Sequence, residues 1–198
     1  YALPLDPVNE NTVALWSYES SEMQQFGQLL HLDDINQNQI ADLIVGIPQS
    51  NLGTLKGGAV SLFLDPLHQA PTSPSLSFYG EESYDEFGFS LASVSDESTV
   101  TVLIGAPKYG EDSLFYQGAA YLFDLSDISV QQNDIGSSSS TTLFLGADRA
   151  ESFGYSLVLA DYNNDGLEDA LISSPGWPAG ANNGRISVFL APFDEIAV

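Results

Sequence analysis

The sequence contains no cysteine, so no disulfide framework can hold it together, and its stability has to come from packing and bound ions. Basic residues are nearly as scarce: four Lys and Arg stand against 27 Asp and Glu, for a net charge of -23. A surface of that sign repels phosphate backbones and anionic lipid, which sets nucleic-acid binding and direct membrane insertion aside. It suits divalent cations or a basic partner. No apolar run approaches the ~18 residues of a membrane-spanning helix. No basic-then-apolar leader opens the sequence, so any signal peptide lies outside it, and no Asn-x-Ser/Thr sequon is encoded. The two histidines, His31 and His68, sit in unrelated contexts and read as packing or surface residues.

What is present is an internal repeat. Hydrophobic residues make up 43% of the 198 positions and aromatics 11%, enough for a sizeable core. Phe26-Gly27, Phe87-Gly88 and Phe153-Gly154 open three similar stretches, 61 and 66 residues apart. Each continues into an apolar strand, a short turn and a second strand. The second strands read Asp42-Leu-Ile-Val-Gly-Ile-Pro48, Thr101-Val-Leu-Ile-Gly-Ala-Pro107 and Asp169-Ala-Leu-Ile-Ser-Ser-Pro175. Third strands follow a glycine: Gly58-Ala-Val-Ser-Leu-Phe63, Gly118-Ala-Ala-Tyr-Leu-Phe123 and Gly184-Arg-Ile-Ser-Val-Phe189. A fourth precedes each later Phe-Gly, at Leu76–Tyr79 and Leu143–Leu145, with Val13–Trp16 the looser match before the first. No helical period is sustained. Four-stranded units in tandem predict an all-β chain of β-propeller blades, in approximate units 12–64, 73–124 and 141–190.

Two of the units carry an acidic loop between their first and second strands. Asp34-Ile-Asn36-Gln-Asn38-Gln39-Ile40-Ala-Asp42 and Asp161-Tyr-Asn163-Asn-Asp165-Gly166-Leu167-Glu-Asp169 both follow D-x-[DN]-x-[DN]-x-x-x-D. Oxygens at alternate positions converge when such a loop wraps tightly. Hard oxygen ligands of this number favour Ca²⁺ over zinc or copper. Two ions are expected. One is bound by Asp34, Asn36, Asn38, the Ile40 carbonyl and Asp42. The other is bound by Asp161, Asn163, Asp165, the Leu167 carbonyl and Asp169. An EF-hand is excluded, because strand residues follow the ninth position at once. A metal-free Asn/Asp turn is the rival reading. Gln39 replaces the sixth-position glycine, at a cost if that position needs a left-handed backbone. The middle unit has only Ser93-Val-Ser-Asp96-Glu-Ser-Thr99 and no expected ion.

These marks resemble the FG-GAP repeats of integrin α subunits. The middle unit keeps both halves of the name, as Phe87-Gly88 and Gly105-Ala106-Pro107, while the third departs with Ser173-Ser174-Pro175. The resemblance implies a calcium-binding propeller segment, extracellular or at the cell surface, that serves adhesion or recognition of a protein or glycan ligand. Two alternatives stand beside it: a carbohydrate-binding or carbohydrate-processing propeller, and a structural spacer. Tyr84, Tyr109, Tyr116 and Trp177 are the aromatic candidates for sugar stacking. No nucleophile elbow, phosphate loop or zinc-protease motif is found, and the expectation is that the chain is not an enzyme. Three blades do not close a ring. Leu5-Asp-Pro7, Leu64-Asp-Pro66 and Leu190-Ala-Pro192 put both ends at one phase of the repeat. Further blades are therefore expected from the same longer chain or from another subunit.

Overall fold

The computed structural model describes residues 16–20, 25–67, 70–96, 99–110, 115–126, 134–181, 183–193 and 196–197. Most of the Val13–Trp16 segment lies outside them. The described chain is all-β apart from a single 3-10 turn at Ser137–Ser139. Among the described residues no helix is long and apolar enough to cross a membrane.

Three sheets follow one another along the chain. The first holds β1 (Leu29–Asp33), β2 (Asp42–Ile47), β3 (Ala59–Phe63) and β4 (Leu76–Tyr79) as an antiparallel meander. The second repeats it with β5 (Ser90–Ser95), β6 (Val100–Ala106), β7 (Ala119–Asp124) and β9 (Thr142–Leu145). The third has β10 (Leu157–Ala160), β11 (Asp169–Ser174) and β12 (Arg185–Phe189) among the described residues. These are propeller blades, and the fourth strand of each of the first two precedes the next Phe-Gly.

Side chains alternate across each strand, so a continuous apolar run must be covered on both faces. In β6, Val102 and Ile104 face the first sheet and pack with Ile44, Val60, Leu62 and Phe78. Leu103, between them, faces the third sheet and packs with Leu157, Leu159 and Ile172. Phe87 and Phe153 are fully buried at the blade junctions. Each such side chain contributes about 1.5–3 kcal/mol from burial alone.

The glycines of the repeat let the blades touch through their backbones. Gly58 bridges to Phe87, and Gly118 to Phe153. A Cβ at Gly58 would lie 2.0 Å from the Phe87 carbonyl oxygen, and its φ of +91° already excludes most side chains. Gly46 and Gly105 meet the carbonyls of Gly88 and Gly154 in the same way, at 2.4 and 2.2 Å from a Cβ.

Two additions were not in the sequence pattern. The connection after β7 lays β8 (Asp134–Gly136) parallel to β4, and so adds a fifth strand to the preceding blade. The connection after β12 repeats the move, with β13 (Ile196–Ala197) parallel to β9. Gly136-Ser-Ser-Ser-Ser140, which reads as a mobile linker, instead runs from β8 into the 3-10 turn, with Ser137 buried.

Candidate metal centres

The two acidic loops close the β1–β2 and β10–β11 hairpins. Their flanking pairs are Asp33 with Asp42 and Ala160 with Asp169. The loops share four side-chain-to-backbone hydrogen bonds at matching positions. In the first, Asp34 Oδ1 and Oδ2 accept from the N–H groups of Asn38 and Gln39, at 2.9 and 2.6 Å. In the second, Asp161 Oδ1 and Oδ2 accept from Asp165 and Gly166, both at 3.0 Å. The third-position amide oxygens, Asn36 and Asn163, accept from the fifth-position N–H at 3.1 and 2.9 Å. The fifth-position oxygens, Asn38 and Asp165, accept from Ile40 and Leu167, both at 2.9 Å.

The sixth position does need a left-handed backbone: φ is +68° at Gln39 and +87° at Gly166. A non-glycine residue is disfavoured there by about 1–2 kcal/mol. Gln39→Gly is therefore expected to raise stability by roughly 1 kcal/mol, after the greater unfolded-state freedom of glycine is deducted. The midpoint of urea unfolding checks this, and an unchanged or lowered midpoint would contradict it.

The ninth-position carboxylates are fully buried. Asp42 Oδ2 accepts from the N–H groups of Ile35 and Asn36, and its Oδ1 accepts from Asp65 at 2.8 Å. Asp169 Oδ2 accepts from Tyr162, and its Oδ1 from Ala191 at 2.8 Å. Each thus ties its loop to the segment following the third strand of its own blade. Burial raises the Asp42 carboxyl above the ordinary carboxylate range; the N–H groups of Asp65 and Asn36 partly offset this, and the Asp65 charge reinforces it.

The donor set is oxygen throughout, which fits a hard divalent cation. Among the described residues no three His, Cys, Asp or Glu side chains gather as a metal-holding group. An ion in either loop would accordingly rest on asparagine and main-chain oxygens as well as carboxylates. The accepting oxygens of the first-, third- and fifth-position side chains each keep a second lone pair beside their N–H bond, whereas Asp42 Oδ2 already accepts two N–H groups. The middle hairpin between the loops is closed by Asp96, whose N–H donates to the Thr99 carbonyl at 2.9 Å and whose Oδ1 accepts from Thr99 N–H at 2.8 Å. Gln37 of the first loop donates to the Asp96 carbonyl. Glu168 of the third loop is raised by burial and then by the charges of Asp161, Asp96 and Asp169.

The other candidates divide between packing and open surface. His31 Nε2 lies 2.8 Å from the Ser93 hydroxyl and links β1 to β5. Tyr109 is buried edge-on to Tyr121, and Trp177 lies under the Arg185 guanidinium at 4.9 Å. Tyr84 and Tyr116 are exposed and line a cavity of about 180 Å³ with Lys56, Glu86 and Lys108.

Blades joined through Phe-Gly on glycine, two of the three with an oxygen-lined loop on the first hairpin, carry the marks of FG-GAP repeats. The FG-GAP repeat family matches directly at residues 153–189. The chain is 32% identical over 131 residues to integrin alpha-PS3 of Drosophila melanogaster, covering 63% of this chain and 11% of that protein. It is 30% identical over 147 residues to integrin alpha-5 of Xenopus laevis, with 66% and 14% covered. It is 29% identical over 164 residues to phosphatidylinositol-glycan-specific phospholipase D of Mus musculus, with 79% and 19% covered. The resemblance to integrin-like FG-GAP repeats is thus real, while the chain spans only between about a tenth and a fifth of these relatives.

The phospholipase relatives correct one expectation. Absence of a nucleophile elbow or zinc-protease motif argued against an enzyme. Yet similar stretches belong to a protein named as a phospholipase in mouse, rat, human and cattle. Motifs elsewhere in a long protein are invisible in a segment of it, so the exclusion does not stand.

Proposed function

We propose that the chain is a calcium-supported, integrin-like propeller segment that works outside the cell in adhesion or protein recognition. The observation that carries this reading is that four hydrogen bonds recur at matching positions of the Asp34–Asp42 and Asp161–Asp169 loops, the second of which lies within the FG-GAP match. Asp34, Asn36, Asn38, the Ile40 carbonyl and Asp42 hold one Ca²⁺; Asp161, Asn163, Asp165, the Leu167 carbonyl and Asp169 hold the other. The ion neutralises carboxylates that otherwise repel, and so clips each hairpin.

Binding to the folded state alone adds about 2.7 kcal/mol per site at a hundredfold excess over Kd, and less at the millimolar calcium typical of extracellular modules. Calorimetric titration of metal-stripped protein should show two sites, and chelation should lower Tm. An absence of uptake with an unchanged Tm would sink the calcium reading.

The neighbour of this segment is a further propeller blade. Leu30 and Leu32 are 66% and 65% exposed, whereas Leu91, Leu157 and Leu159 on the matching strands are 9%, 8% and 9% exposed against the preceding blade. Ile186 and Val188 are likewise open on β12, where Ala120 and Leu122 of β7 are buried. These faces support partnering with further blades of a longer chain or another subunit. Protein ligands then meet the assembled propeller through its loops.

A further inference from the structure

We infer that Asp65, which lies outside the nine-residue motif, is a positioning residue of the first metal loop. It aims the Asn36 and Asn38 amides and supplies the negative charge that the loop itself lacks. This rests on the calcium reading above and adds a residue to it.

The third loop carries carboxylates at three of its oxygen-bearing motif positions: Asp161, Asp165 and Asp169. Its fifth-position Asp165 also orients the neighbouring amide, because Asn163 Nδ2 donates to Asp165 Oδ2 at 2.8 Å. The first loop has only Asp34 and Asp42, with Asn38 at the fifth position. An asparagine cannot accept in that way with its NH₂ end, and it carries no charge.

Asp65 fills both gaps from a distant point in the sequence. Asn38 Nδ2 donates to its Oδ1 at 2.6 Å, and Asn36 Nδ2 donates to its Oδ2 at 3.3 Å. One carboxylate thus holds both amides by their nitrogen ends. Their oxygen ends are fixed from the other side, accepting from Asn38 and Ile40 N–H groups at 3.1 and 2.9 Å. The amide orientations are therefore set by both ends of each group. Asp65 is itself anchored, since its N–H donates to the buried Asp42 Oδ1 at 2.8 Å.

The third hairpin serves as a comparison within the same molecule. There Ala191 stands at the equivalent place and makes the same N–H bond, to Asp169 Oδ1 at 2.8 Å. The backbone staple is common to both hairpins; the added carboxylate belongs to the hairpin whose fifth position is asparagine. The carboxylate that the third loop carries at its fifth position is, at the first loop, on the segment that packs against it.

Residues that orient metal ligands typically change affinity by about 10–100-fold when replaced. The test is calorimetric titration of metal-stripped protein with CaCl₂ alone. It compares the parent, Asp65→Asn and Asp65→Ala, each also in an Asp161→Ala background that leaves the first loop as the remaining site. The expected result is at least a tenfold loss of affinity at the first loop, with the third-loop affinity unchanged. Adding Asn38→Asp to Asp65→Ala places the carboxylate where the third loop carries it, and should restore most of the loss. A role of Asp65 in folding alone would not be rescued by that change.

Parent-like affinity at both sites in Asp65→Asn and Asp65→Ala would overturn the inference and leave the calcium reading intact. Loss without rescue by Asn38→Asp would also overturn it. A parent that takes up calcium at the third loop alone would remove the first site and the role of Asp65 with it. A parent with no uptake at either loop would remove the calcium reading itself.

Discussion

Arg185→Met should destabilise the protein by about 3–5 kcal/mol, because it leaves a buried carboxylate without its cation. Glu151 is fully buried, and its Oε1 pairs with Arg185 Nη2. Its Oε2 accepts from the N–H groups of Ala147 and Asp148 at 2.8 and 2.9 Å. Those two bonds survive the substitution, which places the loss toward the lower end of that range. Methionine keeps an apolar stem against Trp177, so the change reports mainly on charge. Urea unfolding gives the loss, and a double-mutant cycle gives its cause. In a Glu151→Gln background the same Arg185→Met change should cost under ~1 kcal/mol, since no buried charge is left behind. Equal losses in both backgrounds would show that Arg185 acts through packing on Trp177 rather than through the ion pair.

This pair marks where sequence reading stops. The strands were legible because their causes are local. Leu43-Ile-Val45, Leu103-Ile104 and Leu171-Ile172 are short apolar runs, each followed within three residues by Pro, and each became the second strand of a blade. The acidic loops were visible for the same reason, since nine consecutive residues carry the pattern. Glu151 and Arg185 are 34 positions apart, and nothing in either neighbourhood announces the other. Asp65 reaches Asn36 and Asn38 across 29 and 27 positions. Strand β8 was missed because Asp134-Ile-Gly136 has no strand propensity to speak of; the open edge of β4 templates it. The serines after it have the composition of a linker, yet Glu81 accepts the Ser138 N–H at 2.6 Å and fixes the turn. Local periodicity is written in order along the chain. Partners supplied by a neighbouring blade are not.

Asp85 should make stability fall as pH rises from about 4 to about 7, and Asp85→Asn should abolish that component. Asp85 occupies the place of Glu151, two residues before the Phe of its own repeat. The strand position that gives Glu151 its Arg185 is Ala119 in the second blade. Asp85 is buried, and that burial, with the Glu82 charge beside it, pushes its carboxyl from the ordinary 3.8 up to about 7. Tyr121 is raised far above its usual value, first by burial and then by the charges of Asp85 and its neighbours. In the unfolded chain Asp85 releases its proton near pH 4, while the folded protein holds it until about 7. Between those values the folded state binds more protons, so each step up in pH favours unfolding; above about 7 both states are ionised and the contribution levels off. At ~1.4 kcal/mol per pH unit the full interval sets an upper value of roughly 4 kcal/mol, and relaxation around the ionised group brings the expectation to about 2–4 kcal/mol. The other carboxylates also make stability vary with pH, so the quantity to measure is the difference between Asp85→Asn and the parent. That difference should be near zero at pH 4 and reach about 2–4 kcal/mol in favour of the variant at pH 8. Parallel urea-unfolding profiles across this range would mean that Asp85 ionises freely in the folded protein.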